Sequence, residues 1–143
     1  MKTFAENKRA RFDYDIKDQF TAGLALTGAE VKSVKGGNVS LAGAYVTVSG
    51  GSGRLLNCHI GPYRYARNAG FEPTRSRQLL LTKTEISRLL GKDKGLAIIP
   101  LAIFQGPRGL LKLSLGLGRV RKKTDKREYL KKREAQKEIR NAA

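Results

Sequence analysis

Apolar and polar positions change period several times along the chain, and each change marks an element. Phe12, Tyr14 and Ile16 alternate with Asp13 and Asp15, the period-2 pattern of a half-buried strand, and residues 20–26 continue in extended style. Thr27-Gly-Ala-Glu30 then matches a capping box, in which a Thr hydroxyl and a Glu carboxylate satisfy free N–H groups at a helix start. Val31 and Val34 fall three apart before Gly36-Gly37 stops the run, so the spacing predicts a helix of about two turns. Residues 44–48 and 54–60 flank Gly50-Gly-Ser-Gly53 and read as a hairpin with a glycine-rich turn. The lone His59 sits in its second strand.

Residues 61–78 follow, GPYRYARNAGFEPTRSRQ, a long connection with no sustained period. A loop of that length in a small domain is usually functional or mobile. Leu79-Leu-Leu81 resumes a buried strand, and Thr82-x-x-Glu85 is a second capping box ahead of Ile86, Leu89 and Leu90 on one helix face, with Gly91 and Gly95 closing it. Residues 96–104, the turn 105–109 and residues 110–117 make a second hairpin. Pro100 inside its first strand cannot donate to a ladder and implies an edge, a bend or a bulge, each of which helps a sheet curl. Five or six strands with two short inserted helices predict a mainly β fold, a small closed or partly open antiparallel barrel of oligonucleotide-binding type.

Charge changes the picture most at the C-terminal end. The chain has 143 residues and a formal net charge of +17, and residues 119–143 hold eleven Lys or Arg against four Asp or Glu. A segment so charged and so poor in apolar residues repels itself as a free chain and gains counterion release on meeting phosphates. A basic membrane helix would want Trp, Phe or Leu along one face, whereas Tyr129, Leu130, Ala135 and Ile139 are all that this one offers. The partner is read as RNA or DNA, ahead of a membrane. Residues 1–118 are expected to form the RNA-binding barrel, enough for one core, and residues 119–143 a basic tail disordered when free. No apolar run approaches the ~20 residues of a membrane span, and the N-terminal residues lack the apolar stretch of a signal peptide, so the expected location is cytoplasmic.

Catalytic chemistry finds little support. Cys58 is the one cysteine, which rules out an intrachain disulfide and a cysteine zinc cluster. Cys58 and His59 are adjacent in a predicted strand and would face opposite ways, a poor nucleophile and base pair. Asp13 and Asp15 share a face that is most simply solvated, and the glycines of 50–53 and 116–118 complete no nucleotide-binding loop. Neither an enzyme nor a cofactor is expected. Two basic clusters stand outside the tail instead. Lys8, Arg9 and Arg11 precede the first strand, and Arg64, Arg67, Arg75 and Arg77 stud the long loop among Tyr63, Tyr65 and Phe71, a mixture able to stack on unpaired bases and hold phosphate.

Four strings carry a resemblance beyond composition. Asn7-Lys-Arg-Ala-Arg-Phe-Asp-Tyr14, Gly28-Ala-Glu-Val-Lys-Ser33, Glu72-Pro-Thr-Arg-Ser-Arg-Gln-Leu-Leu-Leu81 and Asp125-Lys-Arg-Glu128 resemble, in order and spacing, the SmpB family of SsrA-binding proteins, from about Glu6 to Arg140. The resemblance implies a six-stranded antiparallel barrel with an oligonucleotide-binding-like core and three helices. It implies an adaptor that binds the tRNA-like domain of transfer-messenger RNA and delivers it, charged with alanine, to ribosomes stalled without a stop codon. The implied partners are that RNA, the ribosome with its ribosomal RNA, and the elongation factor carrying alanyl-tRNA. The implied state is a monomer. In the family mechanism the body stands in for a missing anticodon arm while the tail folds into a helix in the empty messenger channel.

Matched residue by residue, the resemblance implies RNA contact at Asn7, Lys8, Arg9, Arg11, Glu30, Lys32, Arg75, Arg77, Leu80 and Thr82. For the ribosome it implies a tail surface of Arg121, Lys122, Lys123, Asp125, Lys126, Arg127, Tyr129, Leu130, Lys131 and Arg133. Thr21 and Thr82 stand where relatives carry Glu and Asn, Val120 where a Gly precedes the tail, and Ala135 where some members carry Trp. Composition alone allows another small ribosome-associated RNA-binding barrel equally well. The ordered motifs favour SmpB.

Overall fold

The computed structural model describes residues 2–63, 71–92 and 95–142, with side chains described as far as Lys137. Its elements are β1 (Thr3–Glu6), α1 (Ala10–Asp13), β2 (Tyr14–Leu24), α2 (Gly28–Lys35), β3 (Val39–Ser40), β4 (Tyr45–Ser49), β5 (Ser52–Leu56), β6 (His59–Ile60), β7 (Arg77–Leu80), α3 (Lys83–Leu90), β8 (Leu96–Gln105), β9 (Leu111–Val120) and α4 (Lys123–Ala142). Seven strands form one antiparallel sheet in the order β1-β8-β9-β2-β7-β5-β4, and β3 pairs with β6 separately.

The long strands owe their length to the alternation that predicted them. In β9 Leu113 and Leu115 are buried and meet Phe20, Ala22 and Ile103 in the main core, with Leu55 and Leu79 from the neighbouring strands. Opposite β9, strand β2 shifts register between Ile16 and Asp18, and β8 shifts between Pro100 and Ala102. These bulges bend the sheet. The expected role of Pro100 thus resolves to a bulge in an interior strand, where its carbonyl accepts from Asn7 Nδ2 at 3.1 Å. Close approach at the β2 bulge needs Gly118, since a Cβ there would lie 2.8 Å from the Asp15 carbonyl oxygen.

Three expectations change. The six-stranded barrel that the resemblance implies is an open seven-stranded sheet, so of the closed and partly open forms expected the closed one is excluded. The sheet curls until β4 lies near β8, but among the described residues no ladder joins its end strands β1 and β4. The strand expected from Phe12 onward begins at Tyr14, as β2, because Phe12 and Asp13 belong to α1, a single turn pinned by buried Ala10 against Ile99 and Leu101. The strand expected over 54–60 breaks at Asn57, whose backbone adopts a positive φ of 58° while its Nδ2 donates to the Gly43 carbonyl at 3.1 Å. The ladder therefore ends at Leu56, and His59 pairs elsewhere, with Ser40 of β3. Strand β1 has no alternation long enough to announce it. Pairing with β8 makes it a strand.

Both capping boxes form. Thr27 Oγ1 accepts from Glu30 N at 3.2 Å while Glu30 Oε1 accepts from Thr27 N at 2.9 Å, and Thr82 with Glu85 repeats both distances. In the first hairpin Gly50 and Gly51, at φ 56° and 81°, supply the two positive angles that a two-residue turn between twisted strands requires. Thr27→Ala is expected to lower stability by about 1 kcal/mol through the lost cap. A denaturation midpoint equal to the parent's would contradict the helix start assigned here.

Candidate nucleic-acid interface

The loop-to-β7 arginines meet a carboxylate rather than open solvent. Arg77 shares its strand face with Leu79, and both are buried; Glu30 lies on the inner side of α2, beside buried Ser33 and Val34, and is 1% exposed. Arg77 Nε donates to Glu30 Oε2 at 2.8 Å, its Nη1 donates to the Cys58 carbonyl, and its Nη2 donates to the Pro73 carbonyl at 2.9 Å. Arg75 Nε adds a bond to Glu30 Oε2 at 3.1 Å, and Arg75 Nη2 pairs with Glu30 Oε1. Burial pushes the Glu30 carboxyl up, but hydrogen bonds from Arg75, the Thr27 N–H and Arg77 outweigh it and hold the group below its ordinary value.

This geometry corrects two expected RNA contacts. Arg77, at 0% exposure, and Glu30 lie where no phosphate reaches them; they tie α2 to β7 and to the segment before it. Arg75 keeps a side chain 35% exposed but shares the same carboxylate. Shared strand parity with Leu79 was the available signal, hidden by the unbroken Leu79-Leu-Leu81 run.

Cations accessible to a polyanion lie elsewhere on the body. Lys8, Arg9 and Arg11 are exposed around α1, and Arg9 lies 5.1 Å from the Phe12 ring and 3.5 Å from Asp13. The Asn7 side chain is occupied in holding Pro100. Lys32 is exposed on α2 with its ammonium 5.4 Å from the Tyr63 ring. Leu80 is 57% exposed on the outer face of β7, opposite Gly23 of β2, and Thr82 is exposed at the start of α3. On β2, Thr21 is exposed two residues before Gly23 and so shares that outer face. Arg54 joins it as well. It pairs with Gln78 across β5 and β7, is exposed, and donates to Ser76 Oγ at 3.3 Å. Sequence reasoning passed over Arg54, although its position between Gly53 and Leu55 marks it as outward. Arg64, Tyr65 and Arg67 lie outside the described residues.

The tail continues β9 before it becomes α4. Arg119 and Val120 pair with Asp15 and Tyr14, and Arg121 N donates to the Asp13 carbonyl at 2.8 Å, so the body extends past residue 118. In α4 the side chains of Lys123, Asp125, Arg127, Leu130, Lys131 and Arg133 are exposed, as is Lys122 just before it. Arg121, Lys126 and Tyr129 turn toward α1 instead. Between α4 and the β1 end of the sheet lies a groove of about 760 Å³ whose lining includes Lys8, Arg11, Lys132 and Arg133 with a single acid, Glu6. Such a concentration of cations in one cleft gives it a positive potential that attracts anions.

Cys58 and His59, adjacent in the chain, lie in different surroundings. Burial pushes the Cys58 thiol up to about 11 against the pull of Arg77, which disfavours the thiolate, and His59 is exposed where Cys58 is buried. Among the described residues no group of three His, Cys, Asp or Glu could hold a metal, and no helix is long and apolar enough to cross a membrane.

The family model described as "SmpB protein" matches residues 4–143, from β1 to the end of the chain. The chain belongs to the SmpB family. An SsrA-binding protein of Anaeromyxobacter dehalogenans (strain 2CP-C) is 46% identical over 140 residues, covering 96% of this chain and 85% of that one. Another from Anoxybacillus flavithermus is 43% identical over 143 residues, covering 99% and 92%. Among solved structures, a chain described under "tmRNA-SmpB: a journey to the center of the bacterial ribosome" is 42% identical, with a TM-score of 0.67 over 87% of this chain and 92% of that one. Membership therefore spans the open sheet and the tail alike, so both halves of the SmpB fold need a functional account.

Proposed function

We propose that this chain is a non-enzymatic RNA-binding adaptor of ribosome rescue, which binds the tRNA-like domain of transfer-messenger RNA and brings it to stalled ribosomes for trans-translation. The observation that carries the reading is the match to the SmpB family over residues 4–143, a range that includes both the sheet and the basic tail. The curled sheet serves as a platform of oligonucleotide-binding type, with Arg54, Leu80, Thr82 and Thr21 on its outer side. Unstacked loop bases offer edges and faces that an A-form duplex hides, and exposed Leu80 and the Arg54 plane suit them. Lys8, Arg9, Arg11 and Lys32 contact phosphates. The tail cations Lys122, Lys123, Arg127, Lys131 and Arg133 meet ribosomal RNA in the messenger path. The protein works as a monomer in the cytoplasm, with the elongation factor bound to the same alanyl-charged RNA.

The RNA that copurifies with the full chain tests this. One discrete structured RNA bearing a tRNA-like end, chargeable with alanine, is the expected result. Fragments of ribosomal RNA alone would favour a constitutive ribosomal component, and turnover of the bound RNA would favour an enzyme.

A further inference from the structure

Four cations that the sequence keeps far apart gather at the α2 end of the sheet. Five residues form one row across β1, β8, β9, β2 and β7, since Thr3 pairs with Phe104, Phe104 with Lys112, Lys112 with Gly23 and Gly23 with Leu80. Their chain neighbours Ile103, Leu113, Ala22 and Leu79 are buried, so this row faces outward. Lys112 thus stands two strands, roughly 10 Å, from exposed Leu80. Only Gly23 lies between. Leu80 leans over it, for a Cβ at Gly23 would lie 3.1 Å from the Leu80 Cβ.

Just before Lys112 the chain turns through residues 106–109. Gly106 N donates to the Leu110 carbonyl at 2.7 Å and Gln105 N to the Lys2 carbonyl at 2.8 Å, so the turn is closed on itself and tied to the residue before β1. Its tip is Arg108, exposed and at a φ of 63°, an angle that glycine takes freely and a residue with a side chain seldom does. An arginine held there against its own preference points to a role for the guanidinium. The ammonium of Lys35 comes over the same turn, 3.8 Å from where a Cβ on Gly109 would lie, and the stem of Lys112 passes Gly106. In the last turn of α2 Lys35 also answers the helix dipole, a role that does not need it to reach the turn. A cavity of about 480 Å³ beside the turn is lined by Lys2, Gln105, Gly106 and Pro107, without an acid. Among the described residues no ion pair engages Lys2, Lys35, Arg108 or Lys112, whereas Arg9, Arg75, Arg77 and Arg88 each meet a carboxylate.

We propose that this turn is a phosphate-binding extension of the RNA face, in which Lys35, Arg108 and Lys112 hold backbone phosphates of the same tRNA-like domain whose unpaired bases meet Leu80. Continuity with the Leu80 row argues for one RNA across both parts, and positive charge without a counter-charge argues for phosphate over base edges. Lys112 sits at the join. A nucleotide whose base lies on Leu80 brings its own backbone within reach of that ammonium. The inference deepens the proposed function and rests on it for the identity of the RNA, though not for the anion site itself.

A transcript of the tRNA-like domain, titrated with the full chain across a range of salt, tests this. Arg108→Gly, Lys112→Gln and Lys35→Gln should each flatten the salt slope by about 0.7 to 0.9 log units, the loss of one phosphate contact. Arg108→Gly carries a second expectation: glycine suits the positive φ, so the denaturation midpoint should not fall while the affinity does. Lys92→Gln makes the same charge change at an exposed site after α3 and should keep the parent's slope. A slope unchanged in all three variants would overturn the inference and leave the Leu80 face standing. Equal flattening by Lys92→Gln would reduce the effect to net charge, and equal flattening on an RNA duplex of the same length would make the turn a nonspecific basic surface; either result also overturns it. A parent that binds the domain no more tightly than the duplex would overturn both this inference and the reading it rests on.

Discussion

Arg77→Ala is expected to destabilise the protein by about 3–5 kcal/mol, because it strips the buried Glu30 carboxylate of its deepest partner and removes the guanidinium's bonds to the Cys58 and Pro73 carbonyls, of which Pro73 keeps the Ile60 N–H. RNA affinity of the fraction that stays folded should keep the parent's dependence on salt, since a fully buried guanidinium neutralises no phosphate. A salt slope flattened by about 0.7 to 0.9 log units, the loss of one phosphate contact, would instead return Arg77 to the interface. Glu30→Gln combined with Arg77→Met should cost less than the sum of the two single changes, for each single change leaves the partner's buried charge uncompensated and the double change does so for neither. The same carboxylate sets an acid limit. Its folded-state pKa lies below the ordinary 4.5, so its contribution is fully present above that value and is lost as pH falls through the lowered one. Stability of the parent and of Glu30→Gln measured against pH should converge on the acid side. Curves that stay parallel through that range would remove Glu30 as the source.

Ending the chain after Lys122 should abolish alanine transfer to stalled nascent chains while leaving a folded protein that still binds the tRNA-like domain. Strand β9 and the Arg121 bonds to Asp13 and Arg11 remain in such a chain, so the sheet keeps its last ladder. Lost are eight cations and four acids of α4, and with them nonspecific affinity and the group proposed to fill the messenger path. Leu130→Pro is the companion variant. It removes a backbone donor inside α4 at a cost of about 3 kcal/mol to the helix with net charge untouched, and it should also block transfer. Normal transfer by the truncated chain would show that the tail is an electrostatic arm and that the sheet alone signals to the ribosome.

Much of this was legible before any coordinates. Thr27 and Glu30, or Thr82 and Glu85, satisfy each other's backbone across three residues, so a reader of neighbours finds the helix starts. Glycines at 50 and 51 and the two alternating runs beside them announce a hairpin for the same reason. Net charge is a sum over the sequence and needs no fold, which is why the polyanion partner and the special character of residues 119–143 could be read directly. Even Pro100 announced an edge, a bend or a bulge, because its missing N–H is a property of the residue alone.

The fold decided whatever depends on what lies across from a residue. Arg77 and Glu30 are 47 positions apart, and only the packing of α2 beside β7 turns a loop arginine from a phosphate ligand into half of a buried ion pair. Strand β1 exists because β8 offers it a ladder, and Asn57 takes a positive φ because the Gly43 carbonyl waits for its amide. The sheet stays open because, among the described residues, the edges of β1 and β4 meet in no ladder, a matter of curl and register summed over seven strands. The seat of Tyr129 between Phe12 and Arg121 likewise joins two ends of the chain. The sequence determined by itself the elements closed by neighbouring residues and the sign of the charge; tertiary structure alone decided which charges meet solvent and which meet each other, because burial and pairing are set by residues brought together from far along the chain.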